Sequence, residues 1–504
     1  MTGTSHRNHI PTRVVIAGGG TAGWMAAAAL SRTMGPVIDL VLVESEQIGT
    51  VGVGEATIPP LRTFNRLINV DEAEFMRATM ATFKLGINFE GWRTGEDAYF
   101  HSFGETGRDH WTSGFQHFWM RGREDGVASD YGDYCLELTA AMENKFAHLP
   151  KDALNYAYHL DSGRYAAFLR KLSEEAGCRR IEGRIGEVEQ DGESGDIAAL
   201  VLEDGQRIEG DLFLDCTGFR ALLIGQTPHT GYDDWTHLLP CDRAIAVQTR
   251  SHREPVPYTR SIAHGAGWQW RIPLQHRMGN GIVYCSQHLS DDDARALLLS
   301  SVEGEVLTEP NQLRFRTGMR RAQWVKNCVA VGLSGGFMEP LESTSIHLIQ
   351  RAILRLMRTF PAGEIREADR HVFNQQSIWD FEHIRDFLVL HYTVTEREDT
   401  AFWRHCARMD LPDTLVHRIE LFRESGRIFR NAEELFAENS WIQVMLGQGL
   451  VPRSWHPIVS KMRPDELRGF LEQIEGAVTK TVAGLPGHAD YVRQYCGAEE
   501  ALVS

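Results

Sequence analysis

Apolar positions near the start of the chain change from a strand pattern to a helical pattern across three consecutive glycines. The β-branched run 13–17 leads into the turn 18–20, which is followed by the apolar run 24–30. A second apolar run, 37–43, ends at Glu44. Strand, turn, helix and strand in this order predict a βαβ unit in a parallel sheet.

The rest of the chain divides into further helical and alternating patterns. Residues 98–150 are rich in aromatic side chains and predict an irregular region, and 279–281 predicts a hairpin turn. Predicted helices cover 61–95, 164–170, 345–360 and most of 361–504, and predicted strands cover 185–188, 197–202, 208–214 and 328–331. The first three of these strands predict a small β layer inserted in the nucleotide-binding region.

The glycines of the first turn are spaced as Gly-x-Gly-x-x-Gly. The first glycine allows the tight turn, the second lets the backbone approach a pyrophosphate, and the third lets the helix pack close to the strand. The phosphates would lie at the positive end of the helix, and the acid after the second strand would bind a ribose. The predicted cofactor-binding residues are Gly18, Gly20, Thr21, Ala22, Gly23 and Glu44. A tight turn between ordinary α/β elements is the simpler alternative.

Only one complete glycine unit is present, so the sequence predicts one tightly held dinucleotide. Strand–glycine turns at 217–218 and 332–336 would return to the same cofactor. FAD fits better than NAD, because FAD enzymes of this architecture insert a β layer and return to the cofactor late in the chain. We predict an α/β fold with an FAD-binding Rossmann-like, aromatic-hydroxylase-like core over 12–360, including a substrate-contacting segment at 61–150. A mainly helical substrate region, 361–504, would pack with the core as one unit.

Composition narrows the class of protein. The 504 residues carry a net charge of −16, which argues against binding to nucleic acid or to anionic membranes. The eight cysteines are scattered, as is typical of reduced thiols in a cytosolic protein, and the 21 histidines show no metal-binding spacing. The uncharged stretch 14–31 nearly reaches membrane-spanning length, but its glycines favour a soluble protein. Because only about a dozen mostly polar residues precede the first strand, we expect no signal peptide and a cytoplasmic location. The cysteine and histidine spacings predict no bound metal.

A second motif is more specific than the glycine turn. Alternation places Trp268, Trp270 and Ile272 on one face of a strand that Pro273 ends, which by itself indicates only a strand with an aromatic face. The Trp-x-Trp-x-Ile-Pro spacing resembles the signature of flavin-dependent halogenases, the tryptophan-halogenase family. The glycine turn and the segments 52–59, 339–344, 385–387 and 391–392 are similar to that family as well, and the resemblance runs from about residue 12 to about residue 460.

The resemblance implies catalytic and binding roles for residues that the sequence pattern alone would not single out. Lys84 would hold or carry the electrophilic halogen, although a lysine in a helical region is ordinarily solvated. Glu342 would stabilise the arenium intermediate and help to remove its proton, although a carboxylate at a helix start is also an ordinary cap. Backbone N–H groups of Thr344 and Ser345 would hold the halide. The family usually has glycine at the position of Ser345, which leaves halide preference open.

The resemblance also indicates an indole-like substrate. His101 and Phe103 match aromatic positions that sandwich the substrate ring, with ordinary packing as the alternative. The segment 439–441 falls where tryptophan-specific members carry paired tyrosines, so free tryptophan is a doubtful natural substrate. Four further positions are expected to contact the cofactor, namely Ala56, Thr57, Leu333 and Ile346. The double-tryptophan strand would wall the flavin off from the substrate.

The expected reaction is halogenation of an electron-rich arene with FADH2, O2 and chloride or bromide. It would proceed through a flavin hydroperoxide and hypohalous acid, and a separate flavin reductase would supply FADH2. The partners would be a small aromatic substrate and that reductase, and a homodimer is also considered. An FAD-dependent aromatic monooxygenase is the first alternative, and a non-catalytic flavin-binding protein is the second.

Overall fold

The computed structural model describes residues 13–48, 54–226 and 230–498. Its strands are β1 Arg13–Ala17, β2 Asp39–Glu44, β3 Gly54–Ala56, β4 Thr82–Lys84, β5 Gly86–Glu90, β6 Ala98–Ser102, β7 Ala157–Asp161, β8 Arg179–Glu182, β9 Ile185–Gln190, β10 Ile197–Leu202, β11 Arg207–Glu209, β12 Leu212–Asp215, β13 Tyr232–Asp234, β14 Arg243–Arg250, β15 Thr259–His264, β16 Gly267–Pro273, β17 Arg277–Tyr284, β18 Asn311–Arg314, β19 Gly318–Arg320, β20 Trp324–Val325, β21 Cys328–Ala330 and β22 Gly336–Phe337. Its α-helices are α1 Thr21–Met34, α2 Pro60–Leu67, α3 Glu72–Ala78, α4 Phe115–Glu124, α5 Leu136–Met142, α6 Ser162–Glu175, α7 Asp291–Ser301, α8 Ser345–Arg358, α9 Glu367–Thr393, α10 Ala401–Cys406, α11 Asp413–Ser425, α12 Glu438–Gly447, α13 Pro464–Ala483 and α14 His488–Cys496.

The first sheet confirms the predicted βαβ unit. Its strand order is β20-β21-β12-β1-β2-β8, and all neighbours pair in parallel except β20 and β21. The inner strands and α1 are almost completely buried, which explains why both read as continuous apolar runs. Strands β9, β10 and β11 form the separate small β layer that was predicted between the elements of this sheet.

A second large sheet carries the double-tryptophan strand. Its order is β18-β14-β17-β16-β15-β5-β6, so β16 lies near the middle and pairs with β15 and β17. A three-stranded sheet, β3-β7-β4, lies next to it, with β3 in contact with β16 and β17. One buried apolar cluster joins β16 to helices α9 to α12, so the helical part of the chain shares a core with this sheet.

Several sequence-based predictions were wrong in their local form. The predicted helix over 61–95 is two short helices, α2 and α3, followed by β4 and β5, so Lys84 lies on a strand. The predicted hairpin turn at 279–281 lies in the middle of β17, because a Cβ on Gly281 would lie 2.0 Å from the ring of Trp270 and glycine leaves room for it. The predicted strand 208–214 is interrupted at Gly210, where a Cβ would lie 2.6 Å from the side chain of Val15.

Other predictions agree with the structure. Helix α6 covers 164–170, α8 covers most of 345–360, and α9 to α14 make 361–504 mainly helical. The aromatic segment 98–150 is more regular than predicted, since it contains β6, α4 and α5. The eight cysteines are buried and free. Over the described ranges, none of the helices is long and apolar enough to cross a membrane. Part of the glycine-rich loop at 52–59 lies outside the described residues.

Candidate active site

The glycine turn between β1 and α1 has the shape of a phosphate-binding cradle. Gly18 has a φ of +106°, and a Cβ there would lie 2.4 Å from the carbonyl oxygen of Cys216. A Cβ on Gly23 would lie 1.8 Å from the carbonyl oxygen of Gly18, so only glycine lets α1 pack this close. A Cβ on Gly20, in contrast, would meet no atom of the described residues within 4 Å. This open space at the N-terminus of α1 fits a pyrophosphate.

Glu44 lies beside the same turn. Its Oε2 atom is 1.4 Å from the position that a Cβ on Gly19 would take, so any larger residue at Gly19 would displace the carboxylate. Arg180 Nε donates to Glu44 Oε1 at 2.6 Å, and Trp24 Nε1 donates to Oε2 at 3.3 Å. The carboxylate is thus held at the end of β2, beside the glycine turn.

A late segment of the chain returns to the glycine turn, as predicted. Leu333 lies in the 3₁₀ turn Gly332–Ser334 that follows β21. Gly332 has a φ of +76°, and a Cβ there would lie 3.1 Å from the Cβ of Ala22 in the first turn of α1. Ile346 is buried in the first turn of α8, which contacts this 3₁₀ turn. Residues more than 300 positions apart therefore share one edge of the parallel sheet.

Lys84 is fully buried at the end of β4. Its Nζ donates to Ser343 Oγ at 2.8 Å and to the backbone oxygen of Thr57 at 3.2 Å, and it lies 5.2 Å from the ring centroid of Phe103. Burial lowers the pKa of Lys84 to about 7, although the charge of Glu342 favours the ammonium form. At neutral pH both the ammonium and the amine are therefore populated.

Glu342 is also fully buried, and two imidazoles flank its carboxylate. His101 Nδ1 lies 3.0 and 2.9 Å from the two carboxylate oxygens, and His391 Nε2 lies 2.9 Å from Oε1. Burial by itself raises the pKa of Glu342, but the hydrogen bonds and charge of the two histidines outweigh burial, and the pKa falls to about 2. Glu342 is therefore a carboxylate throughout the neutral range.

A tight turn brings Lys84 and Glu342 together. The 3₁₀ turn Pro340–Glu342 ends at Ser343, a non-glycine residue with a left-handed φ of +58° whose hydroxyl accepts from Lys84. Thr344 then forms the N-cap of α8, and Ser345 is its first residue. Among the described residues no side chain caps this end, so the first N–H groups of α8 can bind an anion.

The double-tryptophan strand lies on the other side of this turn. Trp268, Trp270 and Ile272 are buried on β16, which ends at Pro273 as predicted. Trp268 Nε1 donates to Glu339 Oε2 at 3.4 Å. Burial raises the pKa of Glu339 to about 7, against hydrogen bonds from Tyr392 and Trp268 that favour the charged form.

Of the two aromatic residues predicted to contact the substrate, His101 lies beside Glu342 and Phe103 lies near Lys84. His101 contacts the rings of Phe387 and Phe436, with centroid distances of 5.4 and 6.2 Å. Trp441 packs edge-on against Phe387 at 4.9 Å. The loop after β6, which carries Phe103, is held by α12 through a separate set of hydrogen bonds.

That set centres on two amide side chains. Gln443 Oε1 accepts from Ser102 N at 2.8 Å, and its Nε2 donates to Ser102 Oγ at 2.9 Å. Asn439 Nδ2 donates to the carbonyl of Gly104 at 2.6 Å. Residue 439 therefore anchors the loop, and the stacking roles of His101 and Phe103 stay predictions.

Sequence reasoning missed several residues of this site. Ser343 and Glu339 lie inside the quoted motif 339–344, but nothing in their spacing showed that one contacts Lys84 and the other Trp268. His391 lay in a segment noted only for its similarity, and its contact with Glu342 spans 49 positions of the chain. The described residues hold no cluster of three or more His, Cys, Asp or Glu side chains able to bind a metal.

Comparison with known proteins agrees with this geometry. The tryptophan halogenase family model matches residues 13–464. The tryptophan 6-halogenase ThaL of Streptomyces albogriseolus is 35% identical over 97% of this chain and 99% of its own length. A flavin-dependent halogenase from Xanthomonas campestris is 61% identical, with a TM-score of 0.96 over 97% of this chain and 99% of that one. BrvH, a flavin-dependent halogenase from Brevundimonas sp. BAL3, is 43% identical, with a TM-score of 0.92 over 96% and 99%. The chain therefore belongs to the tryptophan halogenase family of flavin-dependent halogenases.

Proposed function

We propose that this enzyme halogenates an indole-like arene, with Lys84 presenting the electrophilic halogen and Glu342 accepting the ring proton. The observation that carries the proposal is the burial of both groups in one site, joined through Ser343. A buried cation and a buried carboxylate are unfavourable unless each has partners, and a site that maintains both is typical of catalysis.

The chemistry of Lys84 follows from its lowered pKa. As the ammonium, Lys84 donates a hydrogen bond to the oxygen of hypohalous acid and polarises the oxygen–halogen bond. As the amine, it takes the halogen as a haloamine and releases water. In both cases the π electrons of the arene attack the halogen, and the electron pair of the cleaved bond stays with oxygen or nitrogen. The full burial of Lys84 keeps bulk water from the nitrogen.

Glu342 completes the substitution. The arene that has gained a halogen carries a positive charge, and a nearby carboxylate stabilises it electrostatically. The same carboxylate then removes the ring proton, which restores aromaticity. A base for this step must be ionised at the working pH, and a pKa near 2 meets that requirement.

Residues of the first sheet would hold FAD. The glycine turn would bind the pyrophosphate, and Glu44 would bind the ribose. The full set proposed is Gly18, Gly20, Thr21, Ala22, Gly23, Glu44, Ala56, Thr57, Leu333 and Ile346. When bound and reduced, the flavin supplies the electrons with which O2 converts halide to hypohalous acid. A separate reductase is expected to supply FADH2, because the chain has a single glycine unit.

The N-terminus of α8 is the proposed halide site. Thr344 is buried and Ser345 is partly buried, and their N–H groups belong to the uncapped end of the helix. The strand with Trp268 and Trp270 lies beyond Glu339 and forms the proposed wall between cofactor and substrate. The proposed halide site and Glu342 thus belong to one short stretch of backbone, 339–345, and Lys84 contacts that stretch through Ser343.

The substrate is proposed to be an indole or a larger indole-bearing molecule. One named relative, ThaL, is a tryptophan 6-halogenase by its name, whereas the names of the other two state no substrate. In this chain Asn439 and Trp441 are engaged in internal contacts, and neither is a tyrosine able to clamp an amino acid backbone. Flat aromatic walls favour a planar ring and do not require an ammonium or carboxylate on the substrate.

Product mass spectrometry tests the proposal. The enzyme is incubated with FAD, a flavin reductase, NADH, O2 and indole, with chloride or bromide. We expect the isotope pattern of a halogenated product, and its loss in Lys84→Ala. A hydroxylated product would indicate the monooxygenase instead. Absence of product across a broad arene panel, with FAD bound, would favour the non-catalytic alternative.

A further inference from the structure

A second set of buried groups contacts Glu342 through His391. His391 on α9 is fully buried and its ring stacks on Phe89 at 4.5 Å. Its Nε2 lies 2.9 Å from Glu342 Oε1, and its Nδ1 lies 2.7 Å from the hydroxyl of Tyr99. Gln448 lies beyond the tyrosine. Tyr99, Gln448 and His391 are each at most 7% exposed, so water does not readily replace any of these contacts.

The hydrogen-bond directions in this chain determine where the proton of His391 lies. Gln448 Nε2 contacts the carbonyl oxygen of His391 at 2.7 Å, and a carbonyl can only accept, so the amide nitrogen and not its oxygen faces this way. The same nitrogen donates to the hydroxyl of Tyr99 at 3.3 Å. Tyr99 therefore directs its own proton to His391 Nδ1. A neutral imidazole has one N–H, which this arrangement assigns to Nε2, the nitrogen 2.9 Å from Glu342 Oε1. Among the described residues Nε2 has no partner at a regular hydrogen-bond angle, so its N–H acts on the carboxylate as a nearby dipole.

We propose that Tyr99 and Gln448 are positioning residues that hold His391 as the Nε2–H tautomer and thereby keep Glu342 an ionised base. The proposal rests on the proposed role of Glu342. With the other tautomer, the lone pair of Nε2 would face the carboxylate, and protonation of Glu342 would relieve the repulsion. A protonated Glu342 can neither stabilise the arenium charge nor take its proton.

The other charged and polar groups around Glu342 do not replace the contact from His391. The groups that act on Glu342 are Lys84 from β4, His101 and Tyr99 from β6, and His391 from α9. Lys84 is held by Ser343 and Thr57 rather than by the carboxylate. Burial lowers the pKa of His391 and so favours its neutral form, against the hydrogen bond and the charge of Glu342, which favour the charged form.

Tyr99→Phe tests the proposal with a minimal change. It removes the hydroxyl but keeps the ring that stacks on Phe89 at 4.9 Å and 4°. We expect kcat for indole halogenation to fall about tenfold with KM changed less than about twofold. The acidic limb of the kcat profile should move up by about one pH unit. Tyr284→Phe, which removes a hydroxyl bonded to Asp291, is the matched control and should leave the profile unchanged.

His391→Gln separates tautomer control from simple packing. The glutamine amide can donate N–H to Glu342 but has no second tautomer. In this background Tyr99→Phe should therefore cause no further shift of the acidic limb. An equal shift in both backgrounds, or no shift with His391 present, would overturn the proposal.

A measurement without substrate separates this proposal from the proposed function. NMR of protein labelled with ¹⁵N-histidine, assigned by comparison with His391→Gln, reports which nitrogen of His391 carries the proton. We expect Nε2–H in the parent enzyme and a mixture in Tyr99→Phe. A parent proton on Nδ1, or a drop in activity with the tautomer unchanged, would refute the proposal. Loss of halogenation in the parent with Nε2–H present would instead refute the proposed function.

Discussion

Two buried carboxylates three residues apart have opposite properties. Glu339 and Glu342 lie on one turn and both are fully buried. Glu342 lies between two imidazoles and its pKa falls to about 2, whereas Glu339 contacts Trp268 and Tyr392 and its pKa rises to about 7. Burial pushes both pKa values up, so the difference comes from the partners. One turn therefore carries a carboxylate with a lowered pKa beside two imidazoles and a carboxyl group with a raised pKa beside the tryptophan strand.

The largest expected effect is on halogenation activity, which should depend on Glu342 far more than on Glu339. Glu342→Gln should lower kcat by at least about a hundredfold, because an amide can neither balance the arenium charge nor accept its proton. Glu339→Gln should change kcat less than about fivefold, because an amide resembles a neutral carboxyl group. Steady-state halogenation assays with indole compare the two variants directly. A similar loss in both would contradict the division of roles.

The charges of Glu339 and Glu342 should change the free energy of unfolding in opposite directions. The pKa of Glu339 in the folded protein, about 7, exceeds its usual value of 4.5. Its buried charge therefore lowers the free energy of unfolding, with the full effect above pH 7 and no effect below pH 4.5. The folded pKa of Glu342, about 2, is below 4.5, so its stabilisation is complete above pH 4.5 and is lost as the pH falls toward 2.

Urea unfolding at pH 8 therefore provides a direct test. Glu339→Gln should raise the free energy of unfolding by up to about 3 kcal/mol, and Glu342→Gln should lower it by a similar amount. Both differences should shrink toward pH 4, where the Glu339 effect disappears first. Changes of the same sign at pH 8 would contradict the assignment of the two environments.

The smallest expected effect concerns the partner that makes Glu342 different. His101→Phe removes the N–H donor and keeps a flat ring at the substrate wall. The lost hydrogen bond to a charged group should lower kcat about tenfold and raise the acidic limb by about one pH unit, since Lys84 and His391 still favour the carboxylate. A pH profile with indole measures both. A large rise in KM, with no shift in the acidic limb of the kcat pH profile, would show that His101 acts by stacking alone.

The first region of the chain was largely predictable, because its signals are local. The turn, α1 and the acid of the βαβ unit lie within 32 residues, and the steric limit at Gly23 is set by Gly18, five positions earlier. The double-tryptophan strand was predictable for the same reason, since alternation along β16 is a property of seven consecutive residues.

The site was predictable only in part. Similarity to the family pointed to Lys84 and Glu342, but the helical pattern over 61–95 placed the lysine on the wrong element. A three-residue strand has too few positions to show a period, and β4 exists because it pairs with β7, more than 70 positions away. The glycines at 279 and 281 suggested a turn until Trp270 was seen to occupy the space they leave.

The sequence by itself determined the α/β class, the cradle for a dinucleotide and the strand that marks the family, because each depends on neighbours along the chain. Only the tertiary structure decided the electrostatics of the site. Glu339 and Glu342 are the same residue type at the same depth, and they differ because β6 and α9 bring imidazoles to one while β16 brings an indole to the other. A buried charge is stabilised or opposed by groups that surround it in space, and those groups come from distant parts of the chain.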